Sequence, residues 1–153
     1  MSTVNTDVIT FLQMIGCGEF GTDLFFGRVP QSQKTPVELW WVVPTSASVT
    51  RHNTSGEDTL TYQYELNFRS LSIQKVDEKI FKATKEIVGS HCYELDNFHT
   101  IEVSLVSTDQ RTMMDSENRI VGSIAFSVTV YNILQPKNDE SSQSESQQSS
   151  VNS

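Results

Sequence analysis

The stretch Leu60-Thr-Tyr-Gln-Tyr-Glu-Leu-Asn-Phe-Arg69 decides how the chain folds. Tyr62, Tyr64, Leu66 and Phe68 share one face, and Thr61, Gln63, Glu65, Asn67 and Arg69 share the other. A period of two sustained over this length predicts a strand with one face on a core and one toward water. Upstream, Val37-Glu-Leu-Trp-Trp-Val-Val43 is β-branched and aromatic, and Pro44 is expected to stop it. Residues 45–58 are polar, with Gly56 and Glu57-Asp58, and read as a loop that closes the two strands into a hairpin.

Helical spacing flanks this pair. Val4, Val8, Phe11, Leu12 and Ile15 make one apolar stripe over residues 4–15, with Thr3 or Asn5 as cap and Gly16 and Gly18 as the stop. Residues 17–36 hold three glycines and two prolines and read as an irregular connector with one apolar knot, Leu24-Phe25-Phe26. Residues 72–88 return to helical spacing, with Val76, Ile80, Ala83, Thr84 and Ile87 on the buried side. Ser72 is placed as N-cap and Gly89 as a left-handed terminator. Asp77 and Glu78 precede Lys79, Lys82 and Lys85, the order a helix dipole favours. Cys92 to Leu95 is a short strand. Ile101, Val103 and Leu105 alternate in another. A polar loop, 107–118, leads to a last strand marked by Ile120, Ile124, Phe126, Val128 and Val130. Apolar residues on both its faces place it centrally. The expected class is α+β: an antiparallel four- to five-stranded sheet with two helices packed on one face. Residues 1–135 form that domain, and 136–153, rich in Ser and Gln, are predicted to be a disordered tail.

Composition narrows the function. Nineteen acids against eleven bases leave the chain at −8, with no dense basic cluster to capture a nucleic-acid backbone. No apolar run reaches the roughly 18–20 residues of a membrane-spanning helix, and the start of the chain lacks a basic, apolar leader. Two isolated thiols, Cys17 and Cys92, suit a reducing compartment such as cytosol. His52, His91 and His99 form no paired metal motif, and no metal or cofactor is expected. Adjacency of His91 and Cys92 does not orient a nucleophile and base. Gly16-Cys-Gly-Glu-Phe-Gly21 fits a dinucleotide fingerprint by letter but follows a helix instead of a strand. Asp115-Ser-Glu117 lacks the remaining spacing of a calcium loop. The lysine row on the second helix is interleaved with acids and reads as a solvated face. No catalytic constellation stands out, and an enzyme is not expected.

The order of pieces across residues 4–132 resembles the tail terminator family of long-tailed bacteriophages, minor capsid or tail completion proteins. The similarity lies in the N-terminal helix, Gly21-Thr-Asp-Leu-Phe-Phe-Gly27, a proline, and Pro36-Val-Glu-Leu-Trp-Trp-Val-Val. It continues through Gly56-Glu-Asp, the tyrosine strand ending Phe68-Arg69-Ser70, a helix, Asp115-Ser-Glu-Asn-Arg119, and a last strand ending Val130-Tyr131-Asn132. The resemblance implies a homohexameric ring without catalysis or cofactor. Such a ring caps the tail tube, stops its polymerisation, and docks the head connector or completion protein. Genomic DNA would pass through it unbound. The chain would be located at the head-proximal end of the virion's tail after assembly in host cytoplasm, with no membrane involved. The alternative is a neighbouring neck protein, a head completion or connector-stopper ring. A ring needs two different patches per subunit. The exposed edge of a strand and the pair Phe25 and Phe26 are the candidates for these patches, while Asp109, Arg111, Asp115, Glu117 and Arg119, in and just after the 107–118 loop, are the candidate surface for meeting the tube or the connector.

The tail segment contains one large apolar residue, Val151, so it has almost nothing to contribute to a core. Removing residues 136–153 is expected to shift the thermal midpoint by less than about 3 °C. A larger drop in a calorimetric scan would show that the segment packs on the body.

Overall fold

The computed structural model describes residues 3–32, 34–51, 58–89, 92–95, 98–106 and 111–131. The alternating stretch becomes part of β3 (Asp58–Ser70), which pairs on one side with β2 (Leu39–Arg51) and on the other with β7 (Ile120–Tyr131), both antiparallel. The remaining elements are α1 (Thr3–Met14), β1 (Leu24–Phe26), α2 (Ile73–Gly89), β4 (Cys92–Leu95), β5 (Phe98–Leu105) and β6 (Arg111–Met114). Strand order is β1-β2-β3-β7-β5-β4, with β6 also on β7.

The α+β class, the mainly antiparallel sheet and the helices on one face agree with the sequence. The sheet holds seven strands where four to five were expected. The knot Leu24-Phe25-Phe26 is a strand, parallel to β2. Pro44 does not end β2. It sits beside a register shift between Pro44 and Ser46, beyond the part of β2 that β1 covers. A proline is tolerated at such an edge and bulge because no second neighbour among the described residues needs its missing N–H. Most of the expected 45–58 loop is therefore strand, and residues 52–57 lie outside the described residues. The 107–118 loop is likewise part strand. β5 pairs with β7 from Phe126 to Tyr131, and β6 takes over the same edge from Ile120 to Ser123. The predicted tail, 136–153, also lies outside the described residues.

α1 ends as its glycines require. Cys17 N–H donates to Leu12 O and Gly16 N–H to Gln13 O, with Gly16 at φ 91°. This is a Schellman motif, and it buries Cys17 beside Leu12 in the core. Burial pushes the Cys17 thiol up to about 12, which makes it unreactive at neutral pH. Ser72 caps α2 by accepting from Lys75 N–H at 3.4 Å. Gly89, however, stays helical. No acid falls in the first turn of α2 and no base in its last, so the expected dipole pairing is weak.

The core lies between the helices and the even-numbered face of β3 and β7. Tyr64, Leu66 and Phe68 meet Ile124, Phe126, Val128 and Val130, and α1 and α2 close over them with Val8, Phe11, Leu12, Val76, Ile80 and Ile87. Tyr64 stacks on Phe126 at 5.5 Å between centroids, and its hydroxyl donates to Asn5 Oδ1 at 2.7 Å. Asn5 thus serves the core from within α1 instead of capping it. Gly122 sets how closely α2 approaches. A Cβ there would stand 2.6 Å from Val76 Cγ1 and 2.9 Å from Ile80 Cγ1. Both neighbours are β-branched and stiff in a helix. Gly122→Ala is expected to cost about 1–3 kcal/mol in urea unfolding. An unchanged midpoint would mean that α2 shifts freely.

Candidate functional site

The odd-numbered face of β3 is polar in sequence, yet half of it is not in water. Asn67 is 2% exposed and Arg69 8%. The connector leading from β1 to β2 lies against Arg69, and its first residues border the same groove as Asn67. Arg69 holds it there, with Nε donating to Val37 O at 3.0 Å and Nη2 to Pro36 O at 3.1 Å. The expectation that this whole face meets solvent is corrected by that clamp. Period-two patterning distinguishes the two faces but does not say which stretch a distant segment will cover.

Strand register sets one row across the sheet: Phe25, Trp41, Asn67, Ser123 and Arg111 are successive partners. Ser123 Oγ donates to Asn67 Oδ1 at 2.5 Å, so the buried amide and hydroxyl satisfy each other. The next row runs Leu39, Arg69, Val121 and Met113. Above these rows is a groove of about 480 Å³ lined by Arg28, Trp41, Asn67, Arg69, Arg111 and Met113, among others. A second cavity of about 450 Å³ adjoins it at Arg69 and reaches Thr35, Glu117 and Arg119. Burial pushes the Arg69 guanidinium down from its ordinary pKa, and the nearby charge of Arg119 adds to this, against Asp115 and Glu117.

The β6–β7 turn forms one end of the site. Asp115 Oδ1 accepts from the backbone N–H groups of Glu117 and Arg119, both at 2.9 Å, and Asp115 Oδ2 pairs with Arg119 Nε at 2.8 Å. Arg119 Nη1 also meets Glu117 at 3.2 Å. Asn118 takes the left-handed position, φ 61°, that this turn needs. Three of the sequence-selected residues, Asp115, Glu117 and Arg119, are therefore tied to one another.

Arg111 stands apart on β6, exposed, at the groove. Asp109 lies outside the described residues. Phe25 and Phe26 do not make one patch. Strand alternation sends Phe26 toward the core and Phe25 to the outer face beside Trp41.

Sequence reasoning missed Trp41, Asn67, Arg69 and Ser123 as a group. The only hint was a connector with two prolines and no periodicity, which had to lie against something. Chemically the site can hold an anionic group beside an apolar wall. Among the described residues no group of His, Cys, Asp and Glu could hold a metal ion, and no helix is long and apolar enough to cross a membrane. A scan against known protein families finds no match, and a search of the curated proteins finds none.

Burial alone would raise the Asp115 pKa. The hydrogen bonds from Arg119 and Glu117, with the charge of Arg119, outweigh it and hold the carboxyl below its ordinary value of 3.8. A depressed carboxyl stabilises the fold at pH above its unfolded pKa and loses that contribution as pH falls through the folded pKa. Asp115→Ala is expected to cost about 1–2 kcal/mol at neutral pH. That difference from wild type should shrink below the ordinary carboxylate range, read as urea stability against pH. A gap that is constant down to strong acid would mean that the charge of Asp115 is not what holds the turn.

Proposed function

We propose that the chain is a structural virion protein of the tail-terminator type. Six copies form a ring on the end of a phage tail tube, halt tube growth, and present a docking face to the head connector or completion protein. The ring carries no catalysis and no cofactor. The observation that carries this proposal is that the sheet is open on both sides, with unlike edges. On one side β2 runs past the three residues that β1 covers, so among the described residues the edge from Val43 onward has only β3 as a neighbour. On the other side β6 pairs, among the described residues, only with β7, and it exposes Arg111, Thr112, Met113 and Met114.

Open edges present unpaired N–H and C=O groups to a neighbouring chain. Two different edges on one subunit favour head-to-tail contact, which closes into a ring when the rotation permits and otherwise grows without end. A cap has to close: one face matches the tube and the other does not, so subunit addition stops. The charge of −8 per chain suits a ring around DNA, because like charge in a lumen keeps a duplex from adhering in transit. The ring belongs at the head-proximal end of the tail, its partners being the tube protein and the connector. DNA passes through without specific contact.

Native mass spectrometry is expected to give six copies, in solution or on isolated tube ends. Particles made without the protein should show tailless heads and tubes of irregular or excessive length. Tubes of normal length that only fail to attach would assign the chain to the head side of the neck.

A further inference from the structure

The chain is acidic and has only five arginines, yet Arg28, Arg69, Arg111 and Arg119 all border the outer-face groove and its adjoining cavity. Arg119 is paired with Asp115 and Glu117. Among the described residues no ion pair joins Arg28, Arg69 or Arg111 to a carboxylate within 4.0 Å. Arg69 is a buried cation held by two backbone carbonyls. Beside these charges the wall is apolar, from Trp41, Met113 and Val121. Met113 is 61% exposed.

A polyanion fits this groove poorly. Glu65, Asp115 and Glu117 stand among the arginines, and a regularly charged phosphate backbone would meet them as well. A single carboxylate next to an aromatic ring fits both walls: guanidinium groups take the carboxylate in bidentate fashion and stack on or beside rings.

The chain itself displays that pair of groups elsewhere. Between α1 and β1, Glu19 O accepts from the backbone N–H groups of Thr22, Asp23 and Leu24 at 3.0–3.1 Å. Asp23 Oδ1 accepts from Glu19 N–H at 2.6 Å, and Phe20 N–H donates to Gln13 Oε1 at 3.1 Å. Gly18 and Gly21, at φ 85° and 90°, allow the tight path. A loop so bonded loses little entropy on docking. It holds Glu19 in solvent and leaves Phe20 46% exposed. Neither residue lines the groove, so one copy carries a knob and a socket at different places.

On the premise that the chain forms a ring, we propose that the Glu19–Phe20 loop of one copy seats in the groove of the next, with the Glu19 carboxylate on Arg111 and the Phe20 ring against Trp41 and Met113. Each docked pair leaves one knob and one socket free, which is the condition for a head-to-tail series.

Two single charge reversals and their mixture test this. Glu19→Arg and Arg111→Glu both change exposed side chains, and unfolding midpoints near wild type would establish that both variants fold. Assembly of the full chain is followed by sedimentation velocity and, if a ring needs the tube, by decoration of tube ends. Wild type is expected to assemble, and each variant alone to do so about tenfold or more weakly. An equimolar mixture should recover, because each reversed knob then meets a reversed socket and each native knob a native socket. Rings formed undiminished by both variants would overturn the docking while leaving the ring itself standing. Loss in both variants without recovery in the mixture would overturn the Glu19–Arg111 pairing. A wild-type chain that stays monomeric and leaves tube ends bare would remove the ring, and the docking with it.

Discussion

The pairing of β3 with β7, from Leu60 opposite Val130 to Ser70 opposite Ile120, governs the rest of the molecule. Its register sets two surfaces at once. On the even side it aligns Tyr64 with Phe126 and Leu66 with Ile124, which gives the helices a continuous apolar floor. On the odd side it aligns Asn67 with Ser123 and Arg69 with Val121. A slip of one residue would exchange these faces, placing Arg69 under the helices and Phe68 under a proline-bearing connector. The central pair therefore specifies register strongly, and both the core and the groove depend on it.

Gly122 and Arg69 act from opposite sides of this pair. Gly122 removes a side chain so that Val76 and Ile80 of α2 can lie on β7. Arg69 extends its side chain so that the carbonyls of Pro36 and Val37 are held over the other face. A guanidinium suits the second task. It keeps its charge when partly buried, and its planar fork reaches two adjacent carbonyls. Arg69 also borders both cavities, so a residue that fastens the fold also lines the site.

Much of the site was unreadable in the chain. Asp115, Glu117 and Arg119 were visible because they are close in sequence and set in a turn-like run, and they do form one network. Arg111 was visible as a charge, but its place on a strand edge was not, since Arg-Thr-Met-Met has too few residues to show a period. Trp41 and Asn67 looked like parts of two ordinary strands. They gain meaning only from being neighbours of Ser123 and Arg111 in one row, and that row joins residues separated by dozens of positions. Phe25 and Phe26, adjacent in the chain, are separated by strand alternation.

By itself the sequence determined the elements that repeat over many residues. The alternation at 60–69, the helical stripes at 4–15 and 72–88, the double-sided apolar pattern of the last strand, and the glycines ending α1 each report a local preference summed over several positions, and each was legible. Tertiary structure alone decided what depends on a partner far along the chain: that three residues at 24–26 become a strand because β2 offers an edge, that Pro44 is tolerated because that edge is open, that β5 and β6 share one side of β7, and that a polar strand face is buried because the connector crosses it. Local preference is a property of a segment, whereas coverage is a property of two segments meeting, and no pattern within one of them records the other.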